Sequence, residues 1–147
     1  MGLSTVKSAG LTGAMPYQLD FDSANRILRA VFGGVVSDEE LVQFYLGIGP
    51  HLALKEPLAA VIDFTAVTSF EVSPDTIRQL ASLPPALKDP AIPRCVIAPA
   101  SKIFGLARMF ELQGQGTRPS FHVVRNEKEA WAILGVVDPH FEPIETK

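Results

Sequence analysis

The chain has 147 residues, of which 47% are hydrophobic and 20% charged, which excludes wholesale disorder and fits one domain with its own core. Thirteen basic against sixteen acidic side chains give a net charge of −3, which argues against a dedicated nucleic-acid binder. The single cysteine, Cys95, excludes an internal disulfide, and His51, His122 and His140 lack metal-ligand spacing, so no metal and no cofactor is expected.

Residues 1–15 are small and polar and read as a disordered leader. Val6 stands where a myristoylation pattern needs Ser or Thr. No run of apolar residues is long enough to span a bilayer, so a cytoplasmic protein is expected. Tyr17, Leu19 and Phe21 alternate with Gln18, Asp20 and Asp22, the period of a half-exposed edge strand. Asp22-Ser23-Ala24-Asn25 is turn chemistry, and Ile27–Phe32 reads as the return strand of a hairpin. Gly33-Gly34 is expected to let the chain leave the sheet.

Ser37 with Glu40 forms a capping box, and Leu41, Phe44, Tyr45 and Ile48 recur at helical spacing. Gly47, Gly49 and Pro50 end or kink that helix. Leu58–Ile62, closed by Asp63, reads as a strand covered on both faces. Ser73-Pro74 caps a short helix with Ile77, Leu80 and Ala81 on its buried stripe. Four prolines between Leu83 and Pro93 make a stiff connection. Cys95–Ala98 is a further strand, Ser101 is expected to cap a helix to about Gln113, and Phe121–Val124 is the last strand. Asn126 with Glu129 caps a final helix closed by Gly135. Residues 136–147 read as a loosely attached tail. The order ββαβαβαβα predicts an α/β layered domain over residues 16–135, its sheet mostly parallel with one antiparallel edge strand.

Asp63 and Glu71 follow a central strand, where open α/β sheets bind ligands. They admit two readings, an acid–base pair or turn and cap hydrogen bonding. Gly114-Gln115-Gly116-Thr117-Arg118 follows a helix and precedes a strand, the wrong order for a phosphate loop. No nucleophile–base set emerges, and no enzyme is expected. The helix after Ser101 stands out. Ile103, Phe104, Leu106, Ala107, Met109, Phe110 and Leu112 leave only a narrow polar line of Lys102, Gly105, Arg108 and Glu111. A helix covering one sheet face needs a much smaller apolar arc. The excess must meet neighbouring helices, a second subunit, or an apolar ligand or bilayer.

The element order and the stretch VIDFTAVTSFEVSP, Val61–Pro74, resemble the STAS domain, the fold of anti-sigma-factor antagonists and of the cytoplasmic ends of sulfate transporters. Ile62-Asp63 matches the strand end, Val67 an apolar loop position, and Glu71 the motif aspartate. The family's phosphorylatable serine falls on Val72, followed by Ser73 and Pro74, so the resemblance does not carry the phospho-switch over. FGLARMFEL, Phe104–Leu112, and EAWAIL, Glu129–Leu134, resemble a STAS-like bacterial subfamily. Its fold is similar to the CRAL-TRIO lipid-binding domain, which implies membrane or apolar-ligand association.

The expectation is a non-enzymatic, homodimeric STAS-like binding domain, cytoplasmic or peripheral to the membrane, that takes an apolar small molecule or a membrane surface. Its surface would be Phe70, Ile77, Ile103, Phe104, Leu106, Ala107, Arg108 and Phe110. The alternative is a regulatory module that docks a protein partner through the 63–80 loop and helix, with Asp63, Glu71 and Ser73 at the strand end.

Overall fold

The computed structural model describes residues 17–144; the leader expected over 1–15 lies outside them, as do residues 145–147. β1 (Tyr17–Asp22) and β2 (Ile27–Ser37) form the antiparallel hairpin. α1 (Asp38–Gly47) and α2 (Gly49–Lys55) lead to β3 (Ala59–Glu71) and α3 (Pro74–Ser82). β4 (Arg94–Ile97), α4 (Ser101–Gln113), β5 (Phe121–Val124), α5 (Glu127–Leu134) and β6 (Glu142–Pro143) complete the chain. The sheet order is β5-β4-β3-β2-β1-β6, with β2 to β5 mutually parallel.

The predicted caps form. Ser37 and Glu40 exchange the two bonds of a capping box, Ser73 Oγ accepts from Thr76 N, and Asn126 Oδ1 accepts from Glu129 N. Ser101 is not a cap: the N-cap of α4 is Ala100, without a side-chain bond, and Ser101 is already helical. The chain does not leave the sheet at Gly33-Gly34. β2 runs on to Ser37 through two register shifts, and Gly34 takes the left-handed conformation (φ 69°) that favours glycine.

Alternation along the strands makes two cores. Leu28, Ala30, Phe32, Phe64 and Val96 face one side, beneath α1, α2, α3 and α4. Ile27, Val61, Cys95 and Ile97 face the other, beneath α5. An aromatic chain runs through the first core: Tyr17, Phe44, Phe32, Phe64 and Phe70 stack with successive centroids 5.0–5.2 Å apart.

The segment after Gly135 is not loose. Phe141 packs on Trp131 and under the Arg29 guanidinium, β6 pairs with β1, and Ile144 N donates to Leu19 O. β1 is therefore flanked on both sides at this point and is not a simple edge. Asp22, 1% exposed, holds the tail by accepting from His140 N and from both nitrogens of Asn25. Burial opposes its ionisation, but these bonds outweigh it and keep its carboxyl below the usual range. A depressed folded value stabilises the fold above the ordinary carboxylate range and is lost as pH falls through it. Melting temperature should therefore fall below about pH 4, with Asp22→Asn flattening that slope; an unchanged slope in the variant would contradict this anchoring.

Candidate functional site

β4 pairs with β3 only over Ala60–Asp63, whereas β2 follows β3 as far as Glu71. The reach beyond Asp63, expected as a loop, is a two-stranded ribbon with an open β3 edge. Thr65, Ala66 and Glu71 are exposed on it, and Val35 lies opposite at 51% exposure. Asp63 thus sits inside β3, not at its end, and its Oδ1 accepts from Thr65 N at 2.9 Å. Glu71 accepts from Ser69 Oγ. Eight residues of extended chain put the two carboxylates about 25 Å apart, so they form no acid–base pair. Hydrogen bonding within the ribbon is their use.

Where the ribbon ends, the starts of α1 and α3 are tied together. Ser73 N donates to Asp38 Oδ1 at 2.8 Å, and Ser73 Oγ lies 3.4 Å from both Asp38 carboxylate oxygens. The Ser73 backbone bond, with help from Thr76 and the Ser73 hydroxyl, holds the Asp38 carboxyl below its ordinary range against a small opposing effect of burial. Val72, where the resemblance places the serine, is buried. A phosphate on Ser73 would displace its cap and face the Asp38 carboxylate. Ser73→Ala should cost about 1 kcal/mol in denaturant unfolding, and mass spectrometry of protein from its own host should find no stoichiometric phosphate on Ser73. An unchanged midpoint, or that phosphate, would overturn this reading.

α4 buries most of its excess apolar surface within the chain. Ile103 and Ala107 are buried, Phe110 packs on Phe121 at 5.1 Å, and Phe104 is half-buried under the Arg125 guanidinium at 3.9 Å. Arg108 is on the outside, paired with Glu111. The only strongly exposed apolar side chain of α4 is Leu112. Phe104 is thus no free outward surface.

The burial is incomplete on the inside. A cavity of about 160 Å³ lies between the sheet and the layer of α1, α2, α3 and α4. Six of the residues expected to meet a ligand line it: Phe70, Ile77, Ile103, Leu106, Ala107 and Phe110. Phe104 and Arg108 do not. A dry apolar cavity of about 150 Å³ accommodates benzene.

Two arginines complete the lining, and neither was picked out as a site residue by sequence reasoning. Arg94 opens β4, and its guanidinium donates to the carbonyls of Ile92, Leu87 and Asp89. Arg118 follows the turn after α4 and donates to the carbonyls of Ala81 and Leu83 and to the Tyr45 hydroxyl, which in turn donates to Pro84 O. Its guanidinium lies 4.7 Å from the Phe110 ring centroid. Together they lace the proline-rich loop 83–93 over the cavity. Burial, then the charge of Arg118, push the Arg94 guanidinium below its ordinary value, against Asp89 and Tyr45. A charged residue at the head of a fully buried strand was the available signal for Arg94.

Cys95 is buried on the other face, and burial pushes its thiol up to about 11, which makes it a poor nucleophile at neutral pH. His122 sits half-buried within β5. Among the described residues, no group of three or more His, Cys, Asp and Glu is placed to hold a metal ion, and no helix is long and apolar enough to cross a membrane.

No known family's sequence pattern matches the chain, and no curated protein matches it in sequence. Among solved structures it is similar to the unphosphorylated form of the anti-sigma factor antagonist SpoIIAA, with a TM-score of 0.52 and 13% identity. That likeness covers 83% of this chain and 99% of SpoIIAA. The hairpin, the parallel strands with their crossover helices and this near-complete overlap give the chain the STAS fold of the anti-sigma-factor antagonists.

Proposed function

We propose that this chain is a non-enzymatic regulatory module that works by binding, and that it docks a protein partner of the anti-sigma-factor class with the end of its sheet. The likeness to SpoIIAA over nearly all of that protein carries the reading. The ribbon supports it with an open strand edge, suited to main-chain pairing with a partner, and with the exposed Val35, paired with Ser69 on the ribbon. Without a serine at Val72, docking would not be switched by phosphate there. The test titrates a purified anti-sigma factor into the chain by calorimetry. Saturable binding weakened at least about tenfold by Val35→Asp, with melting unchanged, is expected; no binding, or equal binding by the variant, would reject the docking reading.

A second reading is favoured by the cavity: the helix layer takes an apolar small molecule. Phe70 and Ile77 belong both to the cavity wall and to the β3–α3 junction, so a molecule inside would press on the elements that carry the docking surface. A membrane surface or a second copy of the chain would have to meet the outside of α4, where Leu112 is exposed; sedimentation of the chain with and without liposomes reads both.

A further inference from the structure

We propose that the cavity is a site for a small organic acid, whose hydrocarbon body lies among the apolar walls and whose carboxylate meets the guanidinium of Arg94, with the charge of Arg118 nearby. The inference rests on the apolar-ligand reading and adds the charge of the ligand. Both arginines line the cavity, and they are 8% and 4% exposed. Buried cations are ordinarily paired with an anion, yet among the described residues neither makes a salt bridge. Their partners are neutral: main-chain carbonyls and the hydroxyls of Tyr45 and Thr117. The two like charges also disfavour each other, by more than the nearby Asp89 carboxylate favours the charge of Arg94. One carboxylate between them would relieve both, and a guanidinium has five N–H donors, of which Arg94 gives three to carbonyls. Arg94 keeps one hydrogen on each Nη nitrogen, which suits the two oxygens of a carboxylate, whereas the Nη hydrogens of Arg118 go to Ala81, Thr117, Tyr45 and Leu83, so Arg118 adds its charge.

The cavity volume sets the body to about the size of a benzene ring or a short acyl chain. Benzoate is therefore the probe, and benzyl alcohol its neutral counterpart. Each is titrated into the full chain at neutral pH, with calorimetry for affinity and methyl NMR for location. Benzoate should shift the methyl signals of Ile77, Ile103 and Leu106 saturably and bind at least about tenfold more tightly than benzyl alcohol. Ala107→Leu, which fills the space from α4, should abolish binding of both. Arg94→Gln should reduce benzoate to the affinity of the alcohol; if that variant fails to fold, the comparison of acid and alcohol on the unaltered chain decides alone. Equal affinities would overturn the acid and leave the apolar-ligand reading standing. No binding by either would overturn both.

Discussion

Replacing Phe32 with Ala should cost about 3–5 kcal/mol, the largest loss expected from a single truncation in this chain. Phe32 is fully buried in the middle of β2, with Tyr17, Phe44 and Phe64 all at centroid distances of 5.1–5.3 Å. Its removal would open a gap touching the hairpin, α1 and β3 together, and rings on three separate elements cannot all close on it. In a domain of this length the melting temperature should drop by roughly 10 °C or more. Phe104→Leu, at the half-buried edge under Arg125, should cost far less. A small loss at Phe32 in denaturant unfolding would show that the aromatic chain is not the centre of the core.

Arg118→Ala should be nearly as severe, through polar groups instead of packing. It leaves the carbonyls of Ala81 and Leu83 and the Tyr45 hydroxyl without their shared donor, and buried acceptors left alone cost about 1–3 kcal/mol each before relaxation. A total near 3 kcal/mol is expected. Hydrogen exchange should speed up across the 83–93 loop, which loses one of its two anchors. Arg118→Lys should recover only part, because an ammonium cannot span the same fork of acceptors. Full stability in Arg118→Ala would mean that the loop is held by its prolines alone.

The uneven legibility of the sequence follows from the range of each interaction. Caps at Ser37, Ser73 and Asn126 satisfy donors three residues away, so a short motif announces them. The order of strands and helices along the chain follows from the alternation of apolar runs with capped helices. The ribbon did not show itself, because Thr65–Ser69 has no strict period and its pairing partner includes Gly33 and Gly34. β6 is two residues long, and its anchor, Asp22 to His140, spans 118 positions. Arg118 looked like part of a turn, since its partners Leu83 and Tyr45 stand 35 and 73 residues away. The over-apolar α4 was legible as an anomaly. Its explanation was not, because composition cannot tell an outward apolar face from one turned toward an internal cavity.

The proposal with the sharpest structural readout is that the half-open cavity beneath the helix layer of this STAS fold takes a small organic acid at Arg94. A crystal structure of the chain grown with benzoate tests it most directly. The account predicts the ring among Phe70, Ile77, Ile103 and Phe110, with the carboxylate in hydrogen-bond reach of Arg94. Side chains closed over the space, with no benzoate between the sheet and α4, would contradict it.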